Sequence, residues 1–429
     1  MTSKSPENDL TFEPRTFLSD LFRVAVAAAD PYEAIVRHLP ARPRGRTIVV
    51  GAGKAASQMA AAFERAWGER VEGLVVARHG PVETCRYTQV LTAAHPVPDE
   101  AGIAGAEALL RHVEGLTPDD LVVALISGGG SALLPAPPQD FALADEKALN
   151  EALLASGAPI SAMNVVRKHF SRIKGGRLAA RAYPAKVVSL VVSDVPGDNP
   201  ALVASGPTVP DASSAEEALR IIRDYRIGLP ASVVEFIGNE RAPIPGDEAF
   251  AHNEVHVIAS ARVSLEAAAA QARKLGFQPL ILSDSIEGEA KDIGRMHAAL
   301  ALEFSANAQG LSKPMVLLSG GETTVTIVGG KYGKGGRNSE LLLSAAIDLQ
   351  GAEGITALAA DTDGIDGSED NAGAFCDGGT VARIRAAGGD ARTYLAGHDA
   401  WSAFDLAGDL FVPGPTGTNV NDFRAFLIV

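Results

Sequence analysis

Leu121 to Ile126 is an unbroken apolar run that ends abruptly at Ser127-Gly128-Gly129-Gly130-Ser131. Lys186 to Val192 is a second, ended by Ser193-Asp194-Val195-Pro196-Gly197-Asp198. A strand that is apolar at nearly every position must be covered on both faces, as in a parallel sheet with helices on each side. Thr47 to Val50, Gly73 to Ala77 and Gln89 to Ala93 are shorter runs of the same kind. Between them lie helical patterns over Ser57 to Trp67, Ala101 to Val113, a stretch ending near Leu154, and Ile160 to Ile173. Recurrent strand-turn-helix units predict an α/β chain with a mostly parallel, Rossmann-like sheet. Residues 15–39 read as helix, broken by the cap pair Asp30-Pro31.

Gly238 to Phe250 is rich in Pro, Gly and charge and predicts a linker. It divides the chain into residues 1–240 and a smaller second α/β domain, 250–429. In that second part the strand patterns are Val255 to Ala259, Pro279 to Ser283, Met315 to Leu318, Ile355 to Ala360 and Asp409 to Val412. Helices are expected over Ser264 to Leu275, Ala290 to Ala306 and Asn338 to Leu349.

With 429 residues, 46% of them hydrophobic, the chain has ample material for two cores. A formal charge of −14 disfavours nucleic acid and anionic membranes as partners. No apolar run approaches the roughly 20 residues that span a bilayer. Met1 to Pro14 is polar and has no signal-peptide core. Cys85 and Cys376 offer neither a disulfide framework nor a metal cluster, which fits a reducing, cytoplasmic setting.

Gly51-Ala52-Gly53-Lys54-Ala55-Ala56 follows a strand and opens a helix, the context in which a helix N-terminus takes an anion. Lys54 puts a cation where the helix dipole disfavours one, which points to a bound negative group. A dinucleotide site expects an acid at the end of the second strand, and this chain has Arg78-His79 there. NAD is therefore disfavoured, and NADP survives only through Arg78. The three glycines at 128–130 suit close backbone approach to a ligand. Ser319-Gly320-Gly321-Glu322-Thr323-Thr324, then Gly335-Gly336-Arg337-Asn338, bring glycine turns and one arginine to the front of a helix, a second arrangement suited to phosphate. Asn164 to Arg177 is a cationic block. It is either a solvated helix face or an anion-binding surface working through Arg167, Lys168 or Lys174. Asp194, Asp361 and Asp363 stand at strand ends, where carboxylates either hold Mg²⁺ or simply form turns. His95, before Pro96, reads as a structural or polar-contact residue.

Taken in order, Gly51-Ala52-Gly53-Lys54, His95-Pro96-Val97-Pro98-Asp99, Ser127-Gly128-Gly129-Gly130-Ser131, Ser193-Asp194-Val195-Pro196-Gly197-Asp198 and Ala204-Ser205-Gly206-Pro207-Thr208 form the first half of a larger pattern. Ser319 to Thr324, Gly335 to Glu340, Asp361 to Gly367 and Pro415 to Asp422 complete it. The set resembles the MOFRL-type, class II glycerate kinases, which make 2-phosphoglycerate from D-glycerate and ATP. Members of that family have often carried the name hydroxypyruvate reductase. The resemblance implies a Rossmann-like domain, a smaller α/β domain and an active site in the cleft between them. Family precedent gives catalytic weight to Lys54 and Arg337.

On that basis Lys54, Arg337 and Asp194 are the expected catalytic residues. Gly53, Ser127, Gly128, Gly129, Gly130, Ser131, Lys174, Ser319, Gly320, Gly321, Thr323, Asn338 and Asn421 are expected to bind glycerate or nucleotide. Asp194, Glu322, Asp361 and Asp363 are expected to hold Mg²⁺, with ATP as phosphoryl donor. Asp194 serves as metal ligand, as base, or as both. A homodimer is left open. Two rivals stand beside this expectation. One is an NAD(P)H-dependent hydroxypyruvate reductase using residues 51–56 and Arg78. The other is a non-catalytic sensor of nucleotides or sugar acids.

Overall fold

The computed structural model describes residues 12–307, 310–327 and 332–429, so most of the polar N-terminal stretch lies outside the described residues. The chain forms two compact units. One is Ala29–Ser260; the other joins residues 12–28 to Ala261–Val429.

The first unit is built on six strands: β1 (Thr47–Ala52), β2 (Glu72–Arg78), β3 (Thr88–Ala93), β4 (Leu121–Ser127), β5 (Lys186–Val192) and β6 (Glu254–Ala259). All pair in parallel, in the order β3-β2-β1-β4-β5-β6. This is the doubly wound order, whose direction of winding reverses between β1 and β4. Every residue of β4 is buried, as its apolar run requires. The helix Ala56–Trp67 buries Met59, Ala60, Phe63 and Trp67, and Gly68 ends it in the left-handed conformation.

The segment read as a linker lies inside this unit. After the helix Ala231–Asn239 the chain passes one short turn, Glu248–Phe250, and enters β6, which pairs with β5. The boundary therefore falls at Ser260 rather than near 240–250, because β6 completes the first sheet.

The second unit contains β7 (Gln278–Ser283), β8 (Gly288–Glu289), β9 (Met315–Gly321), β10 (Thr323–Thr324), β11 (Ile355–Asp361), β12 (Gly373–Asp377), β13 (Leu410–Phe411) and β14 (Asp422–Ile428). The main sheet runs β13-β12-β11-β14-β9-β7, and only β7–β9 is parallel. Alternate residues serve two cores. Leu317, Ala357, Phe426 and Ile428 face a cluster with the helices Ala290–Ala306 and Arg337–Asp348. Val316, Leu318, Leu358 and Leu427 face Phe17, Leu18, Leu21 and Phe22 of the helix Pro14–Ala28, together with Leu265 and Ala268 of the helix Ala261–Lys274. Burial of that apolar stripe assigns the N-terminal helix to the second unit, with the whole of Ala29–Ser260 between it and the rest of that unit. Asp30 caps the next helix, Pro31–Arg37, by accepting from Glu33 N, as the sequence predicts.

Candidate active site

In the first unit the expected residues gather at the carboxyl ends of β1 and β4, where the winding reverses. The two turns are bonded together: Lys54 N donates to Gly128 O at 2.8 Å, and Ala55 N donates to Ser127 Oγ at 3.1 Å. The Ser127 hydroxyl thus fastens one loop to the other. Gly53 (φ 137°) lies so close to Ser127 that any side chain there would overlap its hydroxyl. A Cβ added at Gly128 would stand 1.7 Å from Asp194 Oδ2, so the glycine makes room for that carboxylate. At Gly129, in the left-handed region at φ 81°, a Cβ would meet Lys54 Cγ at 3.1 Å and His95 Nε2 at 3.2 Å. Gly130 packs its bare face on Ala204, and Ser131 Oγ lies 2.8 Å from Ser205 Oγ. Ala204 and Ser205 both hold positive φ (53° and 59°), a strained pair next to the loop.

Lys54, His95, Asp194 and the bare loop 128–130 therefore converge at the switch point. Lys54 is exposed and enters no ion pair among the described residues. Burial depresses the His95 pKa, and the charges of Lys54 and Arg78 depress it further, so its imidazole is neutral at pH 7. From sequence His95 reads as a structural or polar-contact residue. Its place beside Lys54 becomes visible only once β3 is paired to β2 and the turn after β3 is carried to this end of the sheet.

Lys174 is not part of this convergence. Its Nζ donates to Glu146 Oε1 at 2.7 Å with both side chains buried, and Glu146 Oε2 accepts from Ala136 N at 3.0 Å. The expected ligand group is committed to a structural pair.

In the second unit, Arg337 opens its helix as expected, but carboxylates surround it. Nε donates to Asp422 Oδ1 at 2.8 Å, Nη1 to Glu322 Oε1 at 2.8 Å and Nη2 to Asp361 Oδ2 at 2.7 Å. Burial works against its charge, yet Asp422, Asp361 and Glu322 together hold its pKa above the usual value. The helix N-terminus is occupied too: Asn338 N and Ser339 N donate to Asp366 at 2.9 and 2.8 Å. Asn338 Nδ2 donates to Asp422 Oδ1 at 2.8 Å. Asp366 and Asp422 fill the place where sequence reasoning put a phosphate.

Ser319, Gly320 and Gly321 end β9 and pair with Arg424, Phe423 and Asp422 of β14, so they form sheet rather than a phosphate loop. Ser319 Oγ is bonded to His297 Nε2 at 2.7 Å, and Gly320 O accepts from Arg424 Nη1 at 3.0 Å and from Ile286 N at 3.1 Å. The Asn421 carbonyl accepts from Thr362 N and Oγ1. Thr323 Oγ1 is buried without a hydrogen-bond partner among the described residues. It lines a cavity of about 510 Å³ with Arg337, Asp361, Glu340 and His398. Within it His398 Nδ1 meets Glu340 Oε2 at 3.0 Å, and burial raises the Glu340 carboxyl.

The expected Mg²⁺ ligands do not form a ready metal site. Glu322 and Asp361 each give an oxygen to Arg337, Asp361 Oδ1 accepts from Asp363 N, and Asp363 Oδ1 accepts from Ile365 N. Asp363 is doing turn chemistry. Among the described residues no three His, Cys, Asp or Glu side chains are grouped to hold one ion. Burial pushes the Asp361 carboxyl well above the usual carboxylate range, with Arg337 opposing and Asp363 and Asp422 reinforcing the shift.

A doubly wound unit carrying a lysine-bearing glycine turn at its switch point, followed by a mixed-sheet unit with an acid-ringed arginine, defines the class of α/β protein. The pattern of the MOFRL family matches residues 315–422, and that of a domain of unknown function, DUF4147, matches residues 17–238. An Agrobacterium vitis protein with the provisional name hydroxypyruvate reductase is 52% identical over 96% of this chain and 94% of its own. The D-glycerate 2-kinase of Thermotoga maritima is 40% identical over 96% of this chain and 97% of its own. The crystal structure of the Thermotoga maritima glycerate kinase superposes with a TM-score of 0.88 at 39% identity, covering 97% of this chain and 99% of that one. The chain belongs to the MOFRL-type glycerate kinase family.

Proposed function

We propose that this protein is a glycerate kinase that moves the γ-phosphoryl group of ATP to the 2-hydroxyl of D-glycerate, giving 2-phosphoglycerate and ADP. The observation that carries the proposal is the switch-point cluster, an exposed Lys54 and a glycine loop beside the Asp194 carboxylate. Phosphoryl transfer asks a protein mainly for positioning and charge stabilisation. Lys54 supplies a cation for the phosphate oxygens, and the loop at 128–130 lets them approach the backbone. Asp194 takes the proton of the attacking hydroxyl. Magnesium is read as arriving with the nucleotide, since among the described residues no three His, Cys, Asp or Glu side chains are grouped to hold one ion. Arg337 has five N–H groups, three of them engaged. Its role is to hold Glu322, Asp361 and Asp422 in place, with two N–H donors left over.

An NAD-dependent reductase, the activity in the name carried by relatives, needs a ribose-binding acid after β2, and an NADP-dependent one would rest on Arg78. Here Arg78 ends β2, and His79 is bonded to Thr92 and Asp99. Two free thiols suit a cytoplasmic kinase. Among the described residues no helix is long and apolar enough to cross a membrane. A coupled ADP-release assay with ATP and D-glycerate, run beside NADPH oxidation with hydroxypyruvate, tests the proposal. Turnover is expected only in the first. NADPH oxidation without ADP release would overturn it.

A further inference from the structure

The cationic block from Asn164 to Arg177 holds five arginines and lysines, and four of them have carboxylate partners. Lys168 pairs with Asp211, Arg172 with Glu107, Lys174 with Glu146 and Arg177 with Glu240. Arg167 is the exception. Its Nε donates to Asn150 Oδ1 at 2.7 Å and its Nη1 to Asn164 Oδ1 at 3.3 Å, and it enters no ion pair among the described residues. Two neutral amides fix the direction of the guanidinium, and no carboxylate among the described residues stands within ion-pair distance of it. The residue is half-buried, and burial lowers its pKa. The carboxylate whose field favours the Arg167 charge is Glu146, which is itself bonded to Lys174. Withdrawn charges in proteins are ordinarily paired. An oriented, unpaired guanidinium is the form a protein gives to a group that waits for an anion.

The same residue is tied to the switch-point loop. Asn164 Oδ1 also receives Ser205 Oγ at 3.5 Å, and Ser205 Oγ meets Ser131 Oγ at 2.8 Å. Ser131 closes the glycine loop, and Ser205 sits in the strained left-handed pair after Ala204. The relay Arg167–Asn164–Ser205–Ser131 thus runs from the guanidinium to the place assigned above to phosphate transfer. We infer that Arg167 grips the carboxylate of the hydroxy-acid acceptor and restricts the enzyme to acids over neutral polyols and amides. This rests on the kinase reading of the switch-point site and adds the group that selects the acceptor.

The test compares wild type, Arg167→Gln and Arg167→Lys with D-glycerate and with glyceramide, its neutral amide. Gln retains a polar amide near Asn150 and Asn164 and loses the charge, whereas Lys keeps the charge without the fork. A lost charged hydrogen bond to a carboxylate is worth on the order of 10- to 100-fold. The expected result is a rise of that size in the glycerate KM of Arg167→Gln, with the ATP KM within about 3-fold of wild type and a smaller rise for Arg167→Lys. The preference for glycerate over glyceramide, as a ratio of kcat/KM, should collapse by a similar factor. Parallel losses on both acceptors and on ATP, with the preference unchanged, would show a structural role and overturn the inference. If Arg167→Gln fails to fold, Arg167→Lys decides by the same ratio. A wild-type enzyme inactive on glycerate would strike the kinase reading itself, which separates the two failures.

Discussion

Replacing Gly128 by alanine isolates the most demanding contact in the switch-point site. Gly128 is not among the residues with positive φ, so alanine costs nothing in backbone conformation there. What it does is place a methyl group 1.7 Å from Asp194 Oδ2, 2.2 Å from Cγ and 2.7 Å from Oδ1. Real Cβ contacts essentially never fall under 3.0 Å, so the carboxylate must retreat by about 1.3 Å. Because a side-chain end rather than backbone gives way, the fold should survive. A displacement of about 1 Å at a reacting group costs on the order of 100-fold in rate. We therefore expect kcat of Gly128→Ala to fall about 100-fold in the ADP-release assay, with Tm within a few degrees of wild type. Adding Asp194→Asn should cost little more, since both changes remove the same function. Near-normal turnover in Gly128→Ala would refute the role given to Asp194.

Three further outcomes follow from the charge arrangement. Arg337→Ala should cost stability as well as activity, on the order of 3 kcal/mol at pH 8, because it strands Asp361, Asp422 and Glu322. The loss should shrink in urea melts as pH falls through about 8, where burial makes the Asp361 carboxyl take up a proton, and a pH-independent loss would contradict this. Lys174→Met should destabilise by about 3 kcal/mol or more by leaving Glu146 buried and unpaired, with Glu146→Gln in the same chain restoring part of it, while the kcat of folded enzyme stays unchanged. His297 is buried between Ile293 O and Ser319 Oγ, and burial lowers its pKa from 6.5 to about 4. Its neutral form favours the fold, so its contribution is whole above about pH 6.5 and is lost as pH falls through 4, about 3 kcal/mol in all. His297→Gln should remove that part of the acid sensitivity, and an unaltered pH profile would disprove it.

Strands β1 to β5 of the first sheet were legible because they announce themselves locally, whereas β6 was read into the second domain because the Pro- and Gly-rich stretch before it looks like a linker. An apolar run such as β4 forms a buried parallel strand wherever it is placed, and the glycine turns after β1 and β4 come to the switch point by topology. The second unit was less legible. Strand β14 is its central antiparallel strand, yet Arg424 interrupts the apolar run that would have marked it. That arginine is buried only because Asp422 and Gly320 O receive it. Arg337 looked like a phosphate clamp because its partners stand 15, 24 and 85 residues away. Sequence spacing carries no trace of such pairings. The helix Pro14–Ala28 displayed its apolar stripe but not which core would take it. Lys174 and Arg167 looked equivalent in the cationic block, and only the placement of Glu146 separates a structural cation from an unpaired one.

Phosphorus NMR of the reaction of wild-type enzyme with ATP, magnesium and D-glycerate tests the central claim most directly. The account predicts ADP and a single new monoester resonance, that of 2-phosphoglycerate. A spectrum in which ATP persists, or in which the 3-phosphate forms instead, would contradict it.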